Sequence, residues 1–414
     1  MNNQEFLIKR KRYAQLLVRF GLNVEKGQVV NISSEAYLRD FALEVLEASY
    51  LAGARYVNLE LTDPRALKCR ILNSSEEYLS YVPPYISEKY RELVDDRGAN
   101  LKIIGSEAPE ILVDLPPKKI NDVRLAQFRA LKYFYDEGIG KSGVQWTVAA
   151  ASTPQWAKKL FPELSESDAE MKLWEHLFSI CRLEDDNFLE RWYEHDKKLH
   201  ERADYLNSMK IEYINFIGPG TDLKVKLSPK AVFKGGSDMG PRGGRFEPNI
   251  PTEEVFTTPD WRGTSGHVKT TRPFLVNGTL IKDLHLEFVN GEIKSFAAEA
   301  GESTFAEYIS SDEGAKRLGE LALVGIDSPI YQSGVVFEEI LLDENAACHI
   351  AIGRAYRFCV EGGTDMSEDE ADAIGCNDSS VHTDMMISSE EVDVKGTTFD
   401  GREILLLEKG EWRV

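Results

Sequence analysis

Cysteine is scarce in this chain of 414 residues: Cys69, Cys181, Cys348, Cys359 and Cys376 make five, an odd number with no CxxC pair. That excludes a disulfide framework and a structural zinc ribbon, and it fits a reducing compartment. Uninterrupted apolar runs are missing from the N-terminus, which reads MNNQEFLIKRKRYAQLLVRFGL. Charges break each stretch, so neither a signal peptide nor a membrane span is expected there, and a cytoplasmic location follows by default. Positive charge is also in deficit, with 49 Lys and Arg against 69 Asp and Glu and a net charge of -20. A surface of that sign repels phosphate backbones, and no basic run interleaved with aromatics reverses it locally, so nucleic acid is excluded as a partner.

Several motifs are absent as well. WRGTSGH contains Ser265 without the G-x-S-x-G elbow of a serine hydrolase. GGSDMGPRGGR, residues 235–245, lacks the G-K-[ST] ending of a phosphate cradle; a wall of a substrate cavity is expected instead, with Arg242 and Arg245 open to substrate carboxylates or to structural acids. No G-x-G-x-x-G follows the first strand signal, which counts against a dinucleotide site.

What is present is an ordinary globular composition, 42% hydrophobic and 29% charged, on a chain too long for one core. Two domains are expected, 1–209 and 210–414. In the first, amphipathic helices (through Leu22, and at 38–51) alternate with strand signals at 28–33, 56–61, 101–104 and 144–149. This is the pattern of an α/β domain with a parallel sheet flanked by helices. Residues 151–209 carry Trp156, Phe161, Leu173, Trp174, Leu177, Leu189 and Trp192 at helical spacing and read as a helical connector. Beyond Lys210, short alternating strands are punctuated by Asn277-Gly278, Asn290-Gly291 and Asp400-Gly401. These are hairpin signals, so an α+β domain dominated by antiparallel strands is expected, with a helix near 303–318.

Seven histidines can be weighed singly. His176, His195 and His200 lie in the charged connector, where HDKKLH lacks the HExxH spacing, and a solvated helix surface is expected. His267 and His285 fall on strand-like stretches with no carboxylate in phase. His382 differs: in SSVHTDMMIS a period of two places His382 and Asp384 on one strand face, either as a chelating pair or as a surface hydrogen bond. His349, in LLDENAACHIAIGRAY, follows Glu344 by five residues, so the two share no helical face. They converge only if the chain bends between them. Carboxylates among apolar neighbours complete the set: Glu253-Glu254 before Val255-Phe256, of which alternation sends only one inward, and Glu320 in RLGELALVGIDSP. A buried carboxylate is costly unless it is paired or binds metal.

Taken in order, NIPTEEVFT, the Glu of LGELALV, DENAACHIAIGRAY and HTD resemble the aminopeptidase T family of metallopeptidases, the aminopeptidase T, AmpS and PepS group. The resemblance runs along the whole chain, including LNVEKGQ at 22–28. It implies that Glu254, Glu320, His349, His382 and Asp384 bind metal, with Glu320 as a bridge and Glu344 as a sixth ligand. It implies further that Tyr356 lies near the metals, placed to stabilise an oxyanion or to pack. The implied activity is removal of single N-terminal residues from peptides with a free N-terminus, by water activated at two divalent ions, Zn, Co or Mn, in a homodimer that walls in its cavity. A proton carrier is still required, and Glu253 is expected to serve, on its adjacency to Glu254. The alternatives are another dinuclear hydrolase of amides or phosphoesters, and a non-catalytic ligand-binding protein.

Overall fold

Four strand signals of the N-terminal region assemble side by side in the computed structural model, which describes residues 1–414. They are β1 (Val29–Glu35), β2 (Tyr56–Thr62), β3 (Ala99–Ile104) and β4 (Gln145–Ala150), and a short fifth strand, β5 (Asn249–Ile250), arrives from far along the chain. The order is β2-β1-β3-β4-β5 and every pairing is parallel. Parallel strands require crossovers, and helices including Arg39–Leu51 and Pro84–Asp95 supply them. The opening helix, Asn3–Leu16, starts where it does because Asn2 and Glu5 form a capping box: the Asn2 side chain accepts from the Glu5 N–H while Glu5 accepts from the Asn2 N–H. The α/β reading of this region is thus observed.

The chain divides into two compact units, residues 1–194 with 237–251, and residues 195–236 with 252–414. The expected division at 209/210 differs from this in two places. The helix Phe188–Met209 is shared out within its own length, and residues 237–251 return to the first unit because β5 pairs with β4.

In the second unit, eight strands form a sheet running Glu292–Ala297, His285–Val289, Ser265–Lys269, Thr221–Lys226, Ile211–Gly218, Asp393–Thr398, Glu403–Glu408, Glu411–Trp412. All its pairings are antiparallel. Asn277-Gly278 and Asn290-Gly291 make the expected turns, with φ of 51° and 83°, and of 52° and 80°. At Asp400-Gly401 only the glycine takes a positive φ, and the Asp400 carboxylate instead holds the Thr398 hydroxyl.

A second, four-stranded antiparallel sheet is made of β6 (Val255–Thr257), β7 (Leu318–Leu323), β8 (His349–Gly353) and β9 (His382–Met386), in that order. One of its faces gives Leu321, Leu323, Ile350, Ile352 and Met385 to a core shared with Phe216, Val225, Leu286 and Val394 of the large sheet. The helix expected over 303–318 is shorter, Glu302–Tyr308. The chain then passes through a 3-10 turn, Glu313–Lys316, and Leu318 already belongs to β7.

Candidate metal centre

The other face of the four-stranded sheet is polar. Register places Glu320 opposite Ala351, and Ala351 opposite Asp384, so two carboxylates flank a small residue in one row across three strands. His349 sits two residues before Ala351, and His382 two before Asp384, on the same face. Ala322, Ala351 and Gly353 occupy the intervening positions, where larger side chains would fill the space between the carboxylates.

Glu320 reaches this face through a bulge. Pairing runs in step from Ala322 and His349 to Glu320 and Ala351, then slips, so that Leu318 meets Ile352. The extra residue is Gly319, whose Cβ, if present, would lie 2.3 Å from the Gly353 carbonyl oxygen and 2.5 Å from that of Arg354. The slip lets Leu318 join the core while Glu320 faces the polar side. The bend between Glu344 and His349 is also present: a helical turn, Ile340–Asp343, passes into the 3-10 turn Glu344–Ala346 and then into β8. Asp343 secures that turn by accepting from the Phe337 and Glu339 N–H groups, and burial raises its carboxyl to about 7.

The polar atoms converge as two groups. Glu254, Glu320 and His349 bring ligand atoms within 4.8 Å of one another, and so do Glu320, His382 and Asp384; Glu320 belongs to both. His382 Nε2 lies 3.2 Å from Glu320 Oε2 and 3.5 Å from Asp384 Oδ1, and His349 Nε2 lies 4.0 Å from the same Asp384 oxygen. Each imidazole turns its Nδ1 to a backbone carbonyl, that of Ala347 at 3.2 Å for His349 and that of Arg354 at 2.8 Å for His382. An Nδ1–H committed in this way leaves the Nε2 lone pair for a cation. Glu254 Oε2 is 3.1 Å from His349 Nε2 without the alignment of a hydrogen bond, and it is buried with no hydrogen-bond partner.

Electrostatics fit the same demand. Burial, with Asp384 and Glu254 adding, raises Glu320 to about 7 despite the nearby His382. Glu344, at the rim, is raised by burial and then by Asp384 and Glu254, although it falls in neither converging group. Burial opposes charge on both histidines, yet Glu254 and Asp384 outweigh it at His349, as Asp384 and Glu320 do at His382, and both are held above the usual imidazole range. Protons therefore hold together a carboxylate set that divalent ions suit better.

Tyr356 closes one side: its ring lies 5.0 Å from that of His382, and although the residue as a whole is 37% exposed, desolvation beside the site followed by the carboxylates, Glu320 first, keeps its hydroxyl protonated. Glu253 and Glu254 are both buried, against the expectation that one would point outward. Glu254 meets His349, whereas Glu253 meets His195 at 3.5 Å. His195 is thus not on a solvated helix surface. Its side chain is 11% exposed and its Nε2 lies 2.7 Å from the Thr252 carbonyl oxygen. His267 and His285 are exposed on strands. Arg242 donates to the carbonyls of Asp96 and Arg97, and Arg245, which is exposed, donates from Nη1 to that of Ser237.

Sequence reading passed over Asn345. It is fully buried, donates to the Leu341 carbonyl and accepts the Glu253 N–H at 2.7 Å, and so fixes the backbone that carries Glu254. The signal was available: a polar residue inside the small and apolar run of DENAACHIAIG is expected to be buried and therefore satisfied.

Known proteins match along the whole chain. A family model described as Thermophilic metalloprotease (M29) matches residues 7–412. Aminopeptidase AmpS of Bacillus subtilis (strain 168) is 37% identical over 407 residues, covering 98% of this chain and 99% of its own. Aminopeptidase T of Thermus thermophilus is 38% identical over 405 residues, 98% of each chain. The solved structure of wild-type AmpT from Thermus thermophilus superimposes with a TM-score of 0.92 at 36% identity, covering 99% of this chain and 100% of that one.

Proposed function

This chain belongs to the thermophilic metalloprotease (M29) family, and we propose that it is a metal-dependent aminopeptidase that releases single residues from peptides with a free N-terminus, using two divalent ions. The observation that carries the pair of ions is the membership of Glu320 in both converging groups. In this reading Glu254 and His349 would hold one ion and His382 and Asp384 the other, with Glu320 available to both. Glu344, which lies in neither converging group, would be the sixth ligand, as the family resemblance implies. Two imidazoles among carboxylates suit Zn, Co or Mn.

Bound there, the ions supply Lewis acidity for the scissile carbonyl and an activated water at neutral pH. The chain's own residues do the rest. Glu320 and Asp384 are fixed in one strand row, which would hold their carboxylates in place for the ions. Tyr356, protonated and against His382, donates its hydroxyl to the oxyanion as the carbonyl becomes tetrahedral. The proton-carrying role of Glu253 rests on adjacency alone, since its carboxylate faces His195; wild-type hydrolysis by Glu253→Gln would remove it. A homodimer enclosing the cavity and a cytoplasmic location complete the proposal. No helix is long and apolar enough to cross a membrane.

The test measures free amino acids released from unblocked and N-acetylated peptides, after chelation and after adding back Zn, Co or Mn. Chelation-sensitive, metal-restored cleavage confined to unblocked peptides is expected. Hydrolysis of p-nitrophenyl phosphate in place of amino-acid p-nitroanilides would transfer the site to phosphoesters, and no hydrolysis at all would contradict the proposal.

A further inference from the structure

Beside the carboxylate face stand three aromatic rings that the chemistry does not use as a set. Phe256 lies on β6 opposite Ala322, and so shares the face of Glu320. After β8, Tyr356 caps and Phe358 lies within a short 3-10 turn, Arg357–Cys359. Tyr356 and Phe358 stack at 5.1 Å and 21°, and Phe256 meets both edge-on at 6.2 Å, with interplanar angles of 75° and 89°. None is fully buried, and Tyr356 is 37% exposed. Exposed aromatic surface beside a reactive centre gains free energy when an apolar group covers it.

The rings are also held in place. Phe256 exchanges both backbone hydrogen bonds with Lys234, each at 2.8 or 2.9 Å. The Tyr356 carbonyl accepts from the Cys359 N–H at 3.0 Å and from the Thr258 hydroxyl at 2.9 Å. A surface fixed in this way loses little entropy on binding.

We propose that Phe256, Tyr356 and Phe358 form the subsite for the side chain of the residue being released, and that they select large apolar N-terminal residues over small or acidic ones. This rests on the aminopeptidase reading. Acidic side chains are disfavoured a second time, because Glu320 on β7 and Asp384 on β9 stand on the same sheet face as Phe256.

The test compares kcat/KM of the metal-loaded enzyme for Phe, Leu, Ala and Glu p-nitroanilides, whose leaving group is constant, and for X-Ala and Ala-X dipeptides. Phe and Leu are expected to exceed Ala by about tenfold or more. Phe358→Ala and Phe256→Ala should each lower the Phe-to-Ala ratio about tenfold, with metal content and thermal unfolding recorded alongside. Phe358→Leu retains apolar volume without the ring, and should shift preference from Phe toward Leu if the subsite is as described. An unchanged ratio in all three variants, or a preference that follows X in Ala-X, would overturn the subsite and leave the aminopeptidase reading standing. Absence of cleavage of every substrate by the wild-type enzyme would overturn that reading, and the subsite with it.

Discussion

Two sheets of this molecule carry a row of polar side chains across neighbouring strands. In the parallel sheet, Asn58, Asn31 and Asn100 are in register on β2, β1 and β3. Asn58 donates to Asn31 at 2.7 Å, and Asn31 donates to Asn100 at 2.9 Å. In the four-stranded sheet the corresponding row is Glu320, Ala351 and Asp384, with His349 and His382 beside it. An amide carries donors and acceptors together, so the first row satisfies itself. Ionised carboxylates only accept, and an imidazole that commits its Nδ1–H to a carbonyl presents Nε2 as an acceptor once neutral, so without the protons it borrows the second row faces acceptors with acceptors. Similar strand geometry therefore gives a structural ladder in one sheet and the proposed cation site in the other, and side-chain chemistry makes the difference.

The sharpest way to break that contrast is to import the amide. Glu320→Gln keeps the shape of the side chain while adding donors and removing the shared charge. Activity should fall by more than about 100-fold, beyond the roughly 10–100-fold typical of outer-sphere changes, and metal content should fall with it. Near-normal activity in this variant would mean that Glu320 bridges nothing.

Proton competition is the next largest effect. Because Glu320 is raised to about 7 in the folded, metal-free protein, metal affinity should drop below that pH, roughly tenfold per unit for each proton displaced. The metal-free protein should behave in the opposite sense. A carboxyl whose folded pKa exceeds its unfolded value stabilises the fold at low pH, and loses that stabilisation as pH rises through the window from 4.5 to about 7. Thermal unfolding of chelated protein between pH 5 and 8 checks this. A melting temperature that climbs across the window would contradict the assignment.

A change in the other row should separate stability from function. Asn31→Ala leaves Asn58 and Asn100 without their partner, at a cost of roughly 1–3 kcal/mol, and should leave the number of bound ions untouched. The smallest expected effect is that of His267→Ala on an exposed strand, within about 0.5 kcal/mol and without loss of activity.

How far all this could be read from sequence depends on whether the determining information was local. The shared face of His382 and Asp384 follows from a strand period of two, and the four parallel strands follow from alternation with helices. Glu344 and His349 remained open because a helix-to-strand bend sets their relation. Leu318 fell inside an expected helix because nothing local announces that Gly319 is a bulge; the glycine is required by two carbonyls contributed by β8 and the residue after it. Strand β5 has two residues, too few to show a period, so the return of 237–251 to the first unit was invisible. His195 read as a solvated surface because its partner Glu253 lies far away in sequence, beyond the end of its helix and several strands.

The most direct measurement is the number of divalent ions bound per chain, by calorimetric titration of chelated protein, for the wild type and for Glu320→Gln. Two equivalents in the wild type, with binding at both sites weakened by the one substitution, is the expected result. A single equivalent in fully active enzyme, or two that survive the loss of Glu320 unchanged, would contradict a shared carboxylate at the heart of the site.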